Sequence, residues 1–250
     1  MITFTRIEDY GRLGNQMFQI AATIGIATRN GFSYGFNDWS YQKYFENSLP
    51  KKEGNFTNHF SYNDFCFKDI TIQDNTNILG YFQSWKFFSE VDIKTIFKPS
   101  SESLKAIEHY NFNNSISLHI RRGDYLNNTH VYPNLSLDYY KRAVSMLESS
   151  GCKDWTIYIF SDDIEWCKSN FNFKNQIFVE QNSDILELFM MSKCNHNIIS
   201  NSTFSWWAAY LNNNTDKKII CPNVWFNDVN EISNFVFDDL IPNDWIRIDI

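Results

Sequence analysis

The chain has 250 residues, a formal net charge of -7, a hydrophobic share of 43% and an aromatic share of 18%. That length can bury a sizeable core in one large or two small domains, and the composition is that of an ordinary soluble globular protein. The acidic balance argues against a nucleic-acid partner, since binding a phosphate backbone needs a basic face.

No apolar run approaches the ~18 residues of a transmembrane helix. The start, "MITFTRIEDYGR", lacks the basic and apolar regions of a signal peptide, so a cytoplasmic setting is expected. Cys66, Cys152, Cys167, Cys194 and Cys221 are odd in number and widely spaced, without C-x-x-C or zinc-type histidine spacing. That pattern fits reduced thiols.

In chain order, "ITFTRI" reads as a strand, "GRLGNQ" as a loop, "MFQIAATIGIATRN" as a helix and "FSYGF" as strand-like. From Trp39 to Phe97 the chain is aromatic and rich in Asn, and its periodicity places no element. "ESLKAIEHY" (102–110) predicts a helix, and the polar connector "NFNN" (111–114) predicts a domain boundary. The expected division is a lobe of residues 1–112 and a lobe of residues 113–250.

The second lobe has the clearer rhythm. "SISLHIR" (115–121) alternates as a strand. Ser136 then caps a helix whose Leu137, Tyr140, Val144 and Leu147 share a face, with Gly151 as its stop. "WTIYIFSDD" (155–163), "QIFVE" (176–180), "HNIIS" and "KKIICP" predict further strands. "IEWCKSNF", "SDILELFMMSKC" (183–194) and "NSTFSWWAAYLN" predict the helices between them. Strands alternating with helices imply a parallel sheet covered on both faces, a Rossmann-like domain.

Three stretches carry pointed chemistry. In "GRLGNQMFQ" (11–19), Gly11 and Gly14 flank a turn into a helix whose first amides can bind anions or hydroxyls. Asn15 offers a carboxamide there, with an N-cap as its plainer role. In "HIRRGDY" (119–125), His119 and Arg121 share a strand face, and Arg122 leaves on the other as the strand ends. Adjacent guanidinium forks at the carboxyl end of a strand form a natural phosphate clamp, or else a structural ion pair with Asp124. In "SNSTFSWWAAYL" (200–211), Asn201, Ser202 and Thr203 lie at the positive end of a helix. The plain alternative there is a capped buried helix with Trp206 and Trp207 as core. Ser161, Asp162 and Asp163 end another strand of the same sheet.

Together with "GYFQSWKFF" (80–88), these stretches resemble, in this order, the motifs of glycosyltransferase family 11. Its members are α-1,2-fucosyltransferases that use GDP-fucose. The H-x-R-R-x-D element is shared by the wider α-1,2/α-1,6/protein-O-fucosyltransferase group. This chain departs from the family's usual Gly-Gly before the first-motif leucine, since Arg12 follows Gly11.

The resemblance implies an α/β, GT-B-like fold of two Rossmann-like lobes with a cleft between them. It also implies inverting transfer of fucose to the 2-hydroxyl of a terminal galactose-type sugar. Arg121 would contact the β-phosphate of GDP, with Arg122 in support. His119 would lie near the nucleotide, Asp162 near guanine or ribose, and Ser202, Thr203 and Phe204 at the pyrophosphate. Gly14, Asp124 and Asn201 complete the donor side, and Asn15 would lie near fucose and the leaving oxygen. Tyr81 and Trp85 are acceptor-stacking candidates, with core packing as the plainer role for each. The expected partners are GDP-fucose and a galactose-containing glycan, with peripheral attachment to a membrane-bound acceptor compatible with that setting.

No D-x-D occurs in the sequence, and no metal or other cofactor is expected. Arginine and a helix end can stabilise the charge that grows on GDP. Asp124, beside two arginines, is expected to stay ionised in a pair, which makes it a poor general base.

Three rivals are separable. A lectin using Trp39, Tyr41, Tyr44, Trp85, Phe87 and Phe88 would need no phosphate clamp. A nucleotide-sugar dehydrogenase or epimerase would need a dinucleotide fingerprint, which the glycine pattern fails. A transferase for another GDP-sugar is opposed by the resemblance alone.

Overall fold

The structure, a computed structural model, describes residues 1–151, 154–181, 183–227 and 239–250. These fall into two compact units. One comprises Met1–Leu104 with 239–243, and the other 105–227 with Asp244–Ile250.

The first unit holds three parallel strands, β1 (Ile2–Thr3), β2 (Asn58–Tyr62) and β3 (Thr76–Gly80), in the order β1-β3-β2. The stretch read as "FSYGF" contributes only isolated bridges, among them Tyr34 beside Ile2. Helix α1 (Leu13–Arg29) starts four residues earlier than its apolar run, so Gly14 lies inside its first turn. Nearly every α1 side chain is buried, as expected of a core helix that is apolar on all sides. A Cβ at Gly25 would overlap the backbone carbonyl of Phe87, and that glycine lets α1 lie against the short 3-10 turn Trp85–Phe88. Two further short helices are α2 (Ile93–Ile96) and α3 (Ser101–Ala106).

The division between units falls earlier than the expected break at residues 111–114, for a packing reason. Tyr110 and Phe112 lie 6.1 and 5.5 Å from the Tyr158 ring, and Tyr158 donates to the Asn111 carbonyl at 2.8 Å. The connector is therefore built into the second unit. In the opposite sense, Asp239 accepts from the Phe67 amide at 3.0 Å and pairs with Lys86, which ties residues 239–243 to the first unit.

The second unit is a six-stranded parallel sheet. Its strands are β4 (Ser115–Ile120), β5 (Thr156–Ser161), β6 (Gln176–Phe178), β7 (His196–Ile198), β8 (Ile219–Pro222) and β9 (Ile246–Ile248). The spatial order is β6-β5-β4-β7-β8-β9, with every pairing parallel. Counting from β4, this is the doubly wound order 3-2-1-4-5-6, and the winding reverses between β4 and β7. Helices α4 (Leu137–Ser149), α5 (Ile164–Asn170), α6 (Asp184–Lys193) and α7 (Thr203–Leu211) make the crossovers.

All six β4 residues are buried, although their apolar and polar side chains alternate. Ile116, Leu118 and Ile120 face one side, against Tyr139, Tyr140, Ala143, Val144 and Leu147 of α4. On the other side the polar residues find partners. Ser117 Oγ accepts from Asn197 at 2.7 Å, and Asn197 Oδ1 accepts from Asn212 at 2.7 Å. Alternation thus marks two buried faces of different polarity here, since α6 and α7 cover the side a lone strand would leave wet. Trp206 and Trp207 are core residues. Cys66, Cys167, Cys194 and Cys221 are free thiols, and Cys152 lies outside the described residues.

Candidate active site

In a doubly wound sheet, ligands bind outside the carboxyl ends of the strands where the winding reverses. That place is flanked by β4 and β7, followed by "RRGDY" and "SNSTF" respectively. The sheet order therefore brings together the two motifs that the sequence only ranks as suggestive.

Each arginine after β4 is held by carboxylates. Arg121, with its side chain only 14% exposed, donates from Nη1 to Asp162 Oδ2 at 2.8 Å and from Nη2 to Asp124. Its guanidinium also lies 5.3 Å from the Tyr125 ring centre. Arg122 turns the other way. Its Nε donates to Asp163 at 3.0 Å, and its guanidinium stacks 3.8 Å over the Trp166 ring. The Arg122 backbone amide donates to Asp162 Oδ1 at 2.9 Å, so one carboxylate holds both the Arg121 side chain and the turn that carries it. Gly123 follows because a Cβ there would overlap Asp162 Oδ2. A guanidinium with two of its edges fixed is pre-aimed, so little rotamer entropy is lost when a phosphate meets the remaining donors.

His119, the last inward polar residue of β4, is buried and shares a hydrogen bond of 2.9 Å with Ser200 Oγ. The Phe204 ring centre is 5.4 Å from its own. Burial, and secondarily the Arg121 charge, pushes its pKa down to about 3, which keeps the ring neutral. Between pH 6.5 and about 3 the unfolded chain binds a proton at this position that the folded chain refuses. Stability therefore drops on acidification through that window, by at most about 1.4 kcal/mol per pH unit. His119→Gln should show a smaller fall in urea midpoint between pH 6 and pH 4.5 than the wild type. An undiminished fall would mean that the folded protein protonates His119.

Ser202 is the N-cap of α7 with no side-chain cap hydrogen bond, and Thr203 and Phe204 form the first turn. Asn201 is a brace. Its Nδ2 donates to the carbonyls of Pro133 at 3.1 Å and Trp225 at 3.2 Å, and its own carbonyl accepts from the Tyr125 hydroxyl at 3.0 Å. Its Oδ1 has no partner among the described residues.

Gly14, Asn15, Tyr81 and Trp85 lie in the first unit, the first two in the opening turn of α1 and the other two in the loop and 3-10 turn that follow β3. The α1 N-cap is Arg12 and not Asn15, because the helix begins at Leu13. Asn15 Oδ1 instead accepts from Gln83 at 2.9 Å, which joins the first motif to "GYFQSWKFF". Gly11 has φ +98°, and a Cβ there would crowd the Asn15 side chain. Tyr81 is half-buried, with its ring 4.8 Å from Tyr10 and 6.0 Å from Phe65. Trp85 is also half-buried, in the turn packed on α1.

Tyr125, Trp166 and Ser200 join the site without a role that their own chemistry announces, and Asp163 joins it as an anchor of Arg122. Asp163 and Tyr125 lay inside or beside quoted motifs. Ser200 likewise opens a quoted motif, whereas nothing local points to Trp166, whose partner Arg122 is 44 positions away.

Fold and site together define a doubly wound α/β protein with a carboxylate-anchored arginine at the reversal of its sheet. The profile of glycosyl transferase family 11 matches residues 2–248, and the chain belongs to that family. It is 30% identical to an alpha-1,2-colitosyltransferase of Escherichia coli across 96% of this chain and 97% of that one. It is 42% identical over 120 residues to the O-antigen biosynthesis glycosyltransferase WbnK of Escherichia coli, covering 39% of WbnK. It is 25% identical to the galactoside alpha-(1,2)-fucosyltransferase 2 of Rattus norvegicus, covering 66% of it. The chain thus spans nearly all of the first of these relatives and less than two thirds of the other two. Among solved structures, POFUT1 in complex with GDP-fucose superposes with a TM-score of 0.57 at 11% identity, over 87% of this chain and 96% of that one. Fucosyltransferase NodZ from Bradyrhizobium gives 0.55 at 14%, over 84% and 91%. These two likenesses are of fold.

Proposed function

We propose that the protein transfers L-fucose from GDP-fucose to the 2-hydroxyl of a terminal galactose-type sugar, with inversion and without a metal ion. The observation that carries this reading is the carboxylate-anchored Arg121 at the reversal of the sheet, in a chain of glycosyl transferase family 11. The α-1,2 linkage is that of relatives at both 30% and 25% identity, by their names.

Breaking the bond between the anomeric carbon and the phosphate oxygen leaves negative charge on GDP. Catalysis gains most from donors fixed where that charge grows. Arg121 serves as that donor, with Arg122 holding the turn. Ser202, Thr203 and the Phe204 amide take the pyrophosphate at the positive end of α7. Asp162 and Asp124 act first as anchors of Arg121, and a ribose hydroxyl or guanine donor can share Asp162. Asn15 and Gly14 serve the sugar side, and Tyr81 and Trp85 the acceptor. The acceptor is a growing surface polysaccharide, in line with the printed name of WbnK, and the enzyme works in the cytoplasm or attached peripherally to the membrane. No helix among the described residues is long and apolar enough to cross a membrane.

The test is turnover of GDP-fucose with a panel of galactosides, followed by NMR assignment of the linkage. A 1→2 product and full activity in EDTA are expected. Another linkage, or activity lost to EDTA and restored by manganese, would refute the corresponding part. Because the likeness to the colitosyltransferase covers 96% of this chain, a colitose donor is the second reading. Turnover of nucleotide-activated colitose at least tenfold above that of GDP-fucose would establish it.

A further inference from the structure

Arg121 and the loop into α7 stand at the ends of two paired strands, which His119 joins through Ser200 below the Arg121 side chain. Their spacing must still be right for one pyrophosphate to meet both. At the level of the guanidinium itself, the Tyr125 side chain reaches both. Tyr125, in the 3-10 turn Gly123–Asn127, places its ring 5.3 Å from the Arg121 guanidinium and donates its hydroxyl to the Asn201 carbonyl at 3.0 Å.

The remainder of its surroundings keeps that span stiff. The Tyr132 ring stacks on Tyr125 at 4.1 Å and 10°, and Phe226 packs on Tyr132 at 5.4 Å. Asn227 closes the same loops by donating to the carbonyls of Val131 at 2.8 Å and Thr129 at 2.6 Å. Asn201 answers from below by donating to Pro133 and Trp225. Burial keeps the Tyr125 hydroxyl protonated at all physiological pH values, so it is a permanent donor.

We propose that Tyr125 is a positioning residue that sets the distance between the Arg121 guanidinium and the Ser202–Phe204 turn, and hence the grip on a nucleoside-diphosphate leaving group. The proposal rests on the donor reading above. Its physical content is that each wall can meet a phosphate alone, whereas charge developing on the leaving oxygens must be met by both at once. Tyr125→Phe keeps the ring beneath Arg121 and the stack on Tyr132, and removes only the hydrogen bond to Asn201.

The experiment compares wild type, Tyr125→Phe and Tyr125→Leu for melting temperature, GDP affinity by calorimetry, and kcat and KM with GDP-fucose. Tyr125→Phe should fold normally, bind GDP about 3–10-fold more weakly and lose ~10-fold in kcat, with acceptor KM unchanged. Tyr125→Leu, which also removes the ring, should lose more of both. GDP affinity and kcat equal to wild type in Tyr125→Phe would overturn the proposal. So would a lowered melting temperature with both constants unaltered, because that is a purely structural role. If wild type binds GDP but does not turn over GDP-fucose, the donor-sugar reading fails and the GDP affinities still decide the role of Tyr125. If wild type does not bind GDP, both fall.

Discussion

Arg121→Lys is expected to lower kcat by ~10²–10³, the range for loss of one donor to a developing oxyanion, equivalent to about 2.7–4 kcal/mol. Lysine keeps the charge but is a single ammonium point. The guanidinium meets Asp162 with one edge and Asp124 with another, and the fork leaves further N–H groups for a phosphate. An ammonium with three donors cannot hold both anchors and the phosphate in one plane. Arg122→Lys should cost less than about tenfold in kcat, because that side chain stacks on Trp166 and pairs with Asp163. Its backbone amide, which anchors Asp162, survives substitution. Both variants need purification, a check of melting temperature and kcat at saturating GDP-fucose. Near-normal turnover in Arg121→Lys with a dead Arg122→Lys would swap the two roles.

Gly25→Ala is expected to destabilise the first unit by about 2–3 kcal/mol. Alanine favours a helix over glycine by ~1 kcal/mol, so local propensity predicts a gain. Packing decides the sign. The added methyl overlaps the Phe87 carbonyl, a backbone atom that cannot rotate away, and that same carbonyl accepts from Arg29 Nη2 at 2.6 Å. Overpacking of this kind costs roughly 1–3 kcal/mol and occasionally more, and overlap with backbone belongs at the upper end. At roughly 2–4 °C per kcal/mol for a chain of this size, the thermal midpoint should fall by about 5–10 °C. A shift of residues 80–88 away from α1 would also loosen Gln83 from Asn15, so activity should fall with it. An unchanged or raised midpoint would show that the contact relaxes freely.

Between residues 115 and 222 most elements are legible because they carry their own signals. Ser136 caps α4 by accepting from the Tyr139 amide at 3.1 Å, and Gly151 past its end has φ +98°. The same holds for β4, β5 and β7, whose apolar runs end at turn residues. Strands β2, β3 and β9 gave no such signal. They are three to five residues long, and β2 and β3 alternate burial within an aromatic, polar stretch. Their pairing is with partners far along the chain, such as Ile2 with Thr76, and a parallel partner at that distance leaves no local trace.

The site divides in the same way. Residue chemistry alone marked the two arginines at a strand end, the Ser/Thr turn before a buried helix and the carboxylates after a third strand, because donors, acceptors and turn-formers are readable one position at a time. The order β6-β5-β4-β7-β8-β9 decided that the first two of these meet at the reversal of the sheet. Tertiary structure alone also decided how the carboxylates are shared, Asp162 with Arg121 and Asp163 with Arg122. Strand order and side-chain pairing are set by contacts 40 to 81 residues apart, and only packing in three dimensions fixes those.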